Sequence, residues 1–178
     1  MSLLELLQNR KSVRHFSSGS LSIEHVEKLV YAGIGIRSGN KRVVPSAGGC
    51  YPLEMFLVIG DVVGMESGIY HYQPKTLLRP GDFRQGLYDA SLRQSSIATA
   101  QISIIIAANY EKITPRYGKR GYRYTYMEAG HVGQNIALQA VELGLGTVMI
   151  GAFNDNAVRT LLEIEEDPLY IIPVGLLS

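Results

Sequence analysis

The segment YTYMEAGHVGQNIALQAVELGLG, residues 124–146, limits the possible folds more than any other part of this chain. Its spacing predicts one long helix. The apolar residues Met127, Val132, Ile136, Leu138, Val141 and Leu143 run most of the way round it, and Ala129, Gly130, Gly133, Ala137 and Ala140 interleave with them. A helix patterned in this way is covered on several sides, either within one core or against a partner chain. The run QISIIIAAN, residues 101–109, is too rich in isoleucine to face water and reads as a buried strand. A buried helix and a buried strand need a sizeable core. With 178 residues, 46% of them apolar and 19% charged, the chain can supply one as a single globular domain over residues 1–178.

The remaining elements are shorter. Ser2 stands three residues before Glu5, a capping box, so a first helix is expected to end near Arg10. SVRHFSSGS, after it, reads as loop. A second helix starts near Ser22, with Ile23, Val26, Leu29 and Val30 as its apolar stripe and Gly33 and Gly35 at its end. SGNKRVVPSAGGCYP is an extended loop entering a strand, EMFLVI, and GIYHYQP is another strand closed by Pro74. DFRQGLYDASL is a weak helix, TVMIGAF is strand-like, NDNAVRTLLEI is a capped helix and LYIIPVG is a final strand. Helices and strands mix without a regular βαβ alternation, so an α+β fold is expected.

Several chemistries lack their residues. Neither GIGIRSG nor GLGTVMIG has the third-glycine spacing of a dinucleotide-binding turn, and there is no GxxxxGK[ST], HExxH, CxxC or GxSxG. His15, His25, His71 and His131 are scattered, so no metal site is expected. A net charge of +1 argues against a broad nucleic-acid-binding face. No run of about 18 apolar residues would cross a membrane, and the N-terminus lacks the pattern of a signal peptide. The single cysteine, Cys50, cannot form an internal disulfide, and a cytoplasmic location is expected. Cys50 reads first as a small hydrophobe, with a nucleophile as the alternative.

Three stretches carry chemistry. RKSVRHF places Arg10, Lys11, Ser12 and Arg14 just after a helix, a set suited to a phosphate and equally to a solvated basic turn. PSAGG, residues 45–49, offers backbone almost bare of side chains, which suits a planar ring lying on it or an ordinary turn. YGKRGYRYTYMEAGHVGQN interleaves tyrosines with Arg116, Lys119, Arg120 and Arg123, which could line a pocket or lead, solvated, into the helix.

Taken in order, RxSxRxF, PSAGGxYPxE, YRYxxxEAGHxxQN, LGLGTxxIGAFND and PLYxIPVG resemble the FMN-dependent nitroreductase superfamily. Within it the chain is most similar to the short branch near the SagB-type thiazole/oxazole-forming dehydrogenases. The resemblance covers about residues 6 to 175. It implies a nitroreductase-like fold, with a mainly antiparallel central sheet flanked by helices and a long buried helix at the interface of a homodimer that holds FMN between its subunits. It implies that Arg10, Ser12 and Arg14, helped by Lys11, anchor FMN, and that Pro45, Ser46, Ala47 and Gly48 lie against the isoalloxazine ring. Ile150, Gly151 and Ala152 match the stretch whose backbone approaches flavin N5. Tyr51, Tyr117, Tyr122 and Tyr124 are the substrate-pocket candidates, and Gln134 and Asn135 are expected to be structural. No residue is expected to act as acid, base or nucleophile, because the flavin carries the chemistry.

The implied activity is hydride transfer between NAD(P)H and a small oxidised acceptor, a quinone or nitroaromatic. Two alternatives stay open: a SagB-like dehydrogenase acting on a small or peptide-derived substrate, and a flavin-binding protein without turnover. Many family members continue past the last glycine into a basic tail that helps hold the FMN phosphate. This sequence ends PVGLLS, so the phosphate is expected to rest on the first motif alone, or to be held more weakly. In the azoline-oxidising relatives a Lys-Tyr pair is implicated in catalysis. Its nearest match here is Arg116-Tyr117, and arginine stays protonated at any accessible pH.

Overall fold

A computed structural model describes residues 1–178, the side chain of Asn40 excepted. The helices are α1 Leu3–Asn9, α2 Ile23–Ile34, α3 Arg84–Ala90, α4 Ser95–Thr99, α5 Thr114–Tyr117, α6 Arg120–Glu142 and α7 Asp155–Leu162. The strands are β1 Leu21–Ser22, β2 Ile36–Arg37, β3 Lys41–Arg42, β4 Leu53–Ile59, β5 Val62–Val63, β6 Gly68–Tyr72, β7 Lys75–Pro80, β8 Ile102–Ala108, β9 Leu145–Thr147 and β10 Asp167–Leu176. Six of them form one antiparallel sheet in the order β7-β6-β4-β8-β10-β9.

The sheet is the middle of three layers because its central strands are apolar on both faces. Met55, Leu57, Ile59, Ile102, Ile104, Ile106, Ile172 and Val174 point to α2 and α6, where they meet Val26, Leu29, Ile34, Val132 and Ile136. Their neighbours of opposite parity, Phe56, Val58, Ile105 and Ile171, point to the other layer and meet Leu87, Ile97, Val158 and Leu162 from α3, α4 and α7. Each fully buried branched side chain contributes about 1.5–3 kcal/mol of transfer free energy. The continuous isoleucine run of β8 is therefore a requirement of its place between two helical layers.

Local signals set the helix starts. Ser2 and Glu5 form a reciprocal capping box on α1, Ser22 and His25 form one on α2, and the Asn154 side chain accepts the Ala157 N–H to start α7. The expected first, second and NDNAVRTLLEI helices are all present. Several details differ from the sequence reading, among them helix α4 and the two-residue strands β1, β2, β3 and β5, which were not anticipated. Helix α6 begins at Arg120, before the expected Tyr124, and α5 precedes it where a loop was equally expected. TVMIGAF is strand only to Thr147, after which Ile150 alone bridges to Ile171. Strand β7, an edge strand with mostly exposed residues, was not anticipated. The small residues Ala129, Gly133, Ala137 and Ala140 are buried in their own chain, whereas Gly130 is exposed.

Candidate functional site

The first motif lies along one edge of the sheet. The Arg10 N–H closes α1 on the Leu6 carbonyl at 3.0 Å. The chain then runs beside β9, with Ser12 bridged to Thr147 and the Val13 N–H donating to the Thr147 carbonyl at 2.9 Å. Phe16 bridges to Leu177, and the Ser17 N–H reaches the Leu176 carbonyl at 3.0 Å. This pairing fixes the backbone and leaves the polar side chains free. Lys11, Ser12 and Arg14 are exposed and Arg10 is half-buried. Among the described residues, the cations of α2, β7, α3 and α7 find carboxylates, whereas Arg10, Lys11 and Arg14 do not. A cavity of 390 Å³ opens beside Lys11 and Val13, bounded by Val141, Leu145 and Leu177.

The PSAGG turn is built from within. The Ser46 hydroxyl accepts the Tyr51 N–H at 2.9 Å, the Ser46 carbonyl accepts the Gly49 N–H at 3.1 Å, and the Ala47 carbonyl accepts the Cys50 N–H at 3.1 Å. Gly48 sits at φ 58° and Gly49 at φ 67°, conformations that cost a residue with a Cβ. One side of the turn is covered by its own chain: Arg116 donates to the Gly48 carbonyl at 2.9 Å. A Cβ on Gly48 would come within 2.6 Å of both Arg116 Nη1 and the Tyr117 hydroxyl. Pro45, Gly48 and Gly49 still face outward. Cys50, a free thiol, is half-buried at the end of the turn.

The four tyrosines have different surroundings. Tyr51, at φ 48°, turns the chain into β4, accepts the Arg42 N–H on its hydroxyl at 3.2 Å and has the Arg42 guanidinium over its ring. Tyr117 packs edge-on against Tyr124 with ring centres 5.2 Å apart, and Tyr122 lies on Tyr110. Tyr117 is thus at the turn, while Tyr122 faces outward further along α6.

Ile150, Gly151 and Ala152 follow β9. Ile150 is buried and exchanges two backbone hydrogen bonds of 2.9 Å with Ile171. Gly151 and Ala152 are exposed, and the Ala152 carbonyl is held by the Gln94 side chain at 2.8 Å. Gly151 lines a cavity of 330 Å³ with Tyr126, Ala129, Phe153, Leu169 and Tyr170, a volume at the small end of those that hold ligands. Of the two amides expected to be structural, Asn135 donates to the Ala32 carbonyl at 3.1 Å and joins α6 to α2, while Gln134 is exposed.

One residue with site chemistry was not singled out from the sequence. Glu128, on α6, is only 3% exposed, and its Oε2 has no hydrogen-bond partner. Burial pushes its carboxyl above the usual range, partly offset by Ser46 and Arg42. The signal available was a carboxylate among the small and apolar residues Met127, Ala129, Val132 and Gly133 of the long helix.

Strand register places these parts relative to one another. Thr147, which holds Ser12, pairs with Val174, and Val174 with Ile102. Leu53, just after the turn, pairs with Ala108, and Ala108 with Asp167. The first motif and the PSAGG turn therefore lie at opposite ends of the sheet, roughly 20 Å apart along the strands at about 3.4 Å per residue. The 150–152 segment lies between these levels. Its neighbours in one chain are the first motif and the Tyr126 cavity. The residues fit FMN in kind: free cations and a hydroxyl for a phosphate, and bare backbone for a ring. Among the described residues no group of three His, Cys, Asp or Glu side chains is arranged to hold a metal ion, and no helix is long and apolar enough to cross a membrane.

Known proteins resemble this chain in sequence and in fold. Residues 7–176 match the model of the Nitroreductase family. A protein of Methanocaldococcus jannaschii named as a nitroreductase, MJ1384, is 46% identical over 97% of this chain and 90% of its own length. The microcin B17-processing protein McbC of Escherichia coli is 28% identical over 82% of this chain, which spans 58% of McbC. The crystal structure of a nitroreductase-family protein from Desulfovibrio desulfuricans in complex with FMN superposes with a TM-score of 0.71 at 21% identity, over 97% of this chain and 84% of that one. The chain belongs to the nitroreductase family of oxidoreductases.

Proposed function

We propose that two copies of this chain bind FMN between them and pass hydride between NAD(P)H and a small oxidised acceptor of the quinone or nitroaromatic type. The observation that carries this reading is the separation of the two halves of the site. The free cations of the first motif and the bare turn suit the two ends of one flavin nucleotide, yet they occupy opposite ends of the sheet. A second copy related by twofold symmetry brings the turn of one chain to the first motif of the other. The exposed apolar residues Leu3, Leu4 and Leu7 of α1, and Tyr122, Tyr126 and Met127 of α6, give such a partner something to cover.

In this reading Arg10, Lys11, Ser12 and Arg14 hold the phosphate with charge-assisted hydrogen bonds. FMN, when bound, supplies the hydride exchange at N5, and the protein supplies orientation and electrostatics. Arg10 or Arg14, if beside N1 and O2, favours the reduced, more negative ring. Pro45 to Gly48 support the ring, and the backbone of 150–152 orients its reactive edge. Among the described residues Arg116, Lys119, Arg120 and Arg123 form no ion pair with a carboxylate, and they lie on the segment that covers the turn, which suits an anionic dinucleotide donor. Tyr117 and Tyr124 flank the place where a flat acceptor would stack.

The likeness to McbC supports a second reading, a dehydrogenase acting on a small or peptide-derived substrate, with Arg116 and Tyr117 standing against the turn. Arginine cannot serve that reaction as a base, which places the reductase reading first. A visible absorption spectrum, FMN release and NAD(P)H oxidation with a quinone acceptor test the proposal together. Equimolar FMN with quinone-dependent turnover is expected. Tight FMN with no turnover from any acceptor would instead mark a flavin carrier, and a colourless protein that takes up no FMN would overturn the proposal.

A further inference from the structure

We propose that Gln94 is the positioning residue of the segment 150–152: its side-chain amide, delivered by a left-handed turn between α3 and α4, holds the Ala152 carbonyl and with it the direction of the unpaired N–H groups beside it. The inference rests on the reading of residues 150–152 as the backbone that meets the reactive edge of the flavin, and goes beyond it by naming the residue that sets its direction.

The turn runs from Ser91 to Gln94. Leu92 and Arg93 lie in succession at φ 54° and 56°, a region that residues with a Cβ seldom adopt and keep only where their surroundings impose it. Side-chain packing does not impose it, since Leu92 is 66% exposed and Arg93 is exposed as well. The turn is held by hydrogen bonds instead. The Ser91 and Arg93 N–H groups both reach the Tyr88 carbonyl at 3.1 Å, and the Gln94 N–H reaches the Ser91 carbonyl at 3.3 Å. The Gln94 side chain closes the turn: its Nε2 donates to the Ser91 carbonyl at 3.1 Å and to the Ala152 carbonyl at 2.8 Å. Both neighbours are carbonyl oxygens, so only the nitrogen end of the amide can face them, and it has one proton for each.

Across this contact, the 150–154 backbone is fixed at three points. Ile150 exchanges its two bonds with Ile171, the Ala152 carbonyl is taken by Gln94, and the Asn154 N–H donates to the Ala90 carbonyl at 2.9 Å. Two of the three partners, Ala90 and Gln94, flank the left-handed turn. Between the fixed points the N–H groups of Gly151, Ala152 and Phe153 find no acceptor among the described residues, and Gly151 and Ala152 are exposed. A peptide unit is planar and trans, so turning the Ala152 carbonyl toward Gln94 turns the Phe153 N–H the opposite way. Gln94 thereby leaves unpaired donors with a fixed direction, which suits an acceptor atom such as N5 of an oxidised flavin.

The test compares wild type, Gln94→Ala and Gln94→Glu by amide hydrogen exchange of the FMN-free protein and by the midpoint potential of the FMN-loaded protein. Glutamate keeps the size of the side chain and its charge suits the start of α4, but it sets oxygens against two carbonyls. A side chain that only fills space or starts α4 would let Gln94→Glu behave as wild type. Under the proposal both variants lose protection of the Asn154 N–H by about tenfold, the value of one lost hydrogen bond, while the amides of β8 keep theirs. Reduction places a hydrogen on N5, so a donor aimed at that atom favours the oxidised ring. Loosening the donor should weaken oxidised FMN about tenfold more than reduced FMN, a rise of about 30 mV in the two-electron potential. Unchanged Asn154 protection in both variants, or a Gln94→Glu protein indistinguishable from wild type, sinks the proposal. A potential that does not rise overturns it too. If the wild type takes up no FMN, the functional reading fails by itself, and the exchange data still decide whether Gln94 holds the segment.

Discussion

Replacing Gly48 with alanine should harm the site more than replacing Gly49, although both are exposed glycines in one turn. Both have positive φ, 58° and 67°, so both substitutions incur the left-handed backbone cost of about 1–2 kcal/mol. Their surroundings differ. A Cβ on Gly48 meets Arg116 Nη1 and the Tyr117 hydroxyl at 2.6 Å, whereas on Gly49 the nearest atom, on the Tyr51 ring, is 4.0 Å away. Alanine at 48 must therefore also displace Arg116 from the Gly48 carbonyl, a bond of 2.9 Å. That loss adds about 0.5–1.5 kcal/mol. The expected excess of Gly48→Ala over Gly49→Ala is about 1 kcal/mol, roughly a fivefold change in an equilibrium constant. It can appear as lower stability if the turn keeps its shape, or as weaker FMN binding if the turn relaxes. The assay therefore sums denaturant unfolding and FMN titration for each variant. The double variant Gly48→Ala/Arg116→Ala should remove the excess. Equal losses from the two single variants, or an excess that survives removal of Arg116, would refute this account of the turn.

Three other perturbations probe other parts. The double variant Arg10→Ala/Arg14→Ala is expected to weaken FMN by more than about tenfold and to flatten the salt dependence of the dissociation constant; unchanged affinity would remove these residues from the anchor. Ile104→Ala, at a fully buried position in β8, should cost about 2–5 kcal/mol on denaturant unfolding, and a loss below about 1 kcal/mol would mean that the α2/α6 side of the sheet is loosely filled. Arg84 holds the Asp82 carboxyl below its usual 3.8. This pair therefore stabilises the fold above that pH, and its contribution is lost as pH falls through the lowered value. Both partners are partly exposed, so the effect is at most about 1 kcal/mol, and Arg84→Gln should remove it from the acid side of the stability profile.

What was legible in the sequence follows the range of the forces involved. Caps are local, so Ser2, Ser22 and Asn154 announced their helices. The isoleucine run of β8 stated its own burial on both faces. Strand β7 was illegible because an exposed edge strand needs little apolar periodicity: KTLLRP buries almost nothing. The early start of α6 was hidden because Lys119 gives no side-chain cap and the first turn has no acid. Within the site, residue types showed the free cations and the bare turn. They could not show that Arg116 closes one side of the turn, since that contact joins residues 68 positions apart in the sequence. Least legible was the separation of the two halves, which depends on the register of four strands.

That separation is also the most direct point of attack. Two variants are co-expressed with different tags, one carrying Arg10→Ala/Arg14→Ala and the other carrying Gly48→Ala, and the mixed dimer is isolated through both tags and its FMN measured. With FMN supplied below the dissociation constant of either variant, each variant alone should hold little flavin. If the turn of one chain completes the first motif of the other, the mixed dimer has one intact site of its two and carries half the wild-type load. If each chain builds its own site, every site in the mixed dimer is damaged. A mixed dimer as empty as its parents would contradict the account.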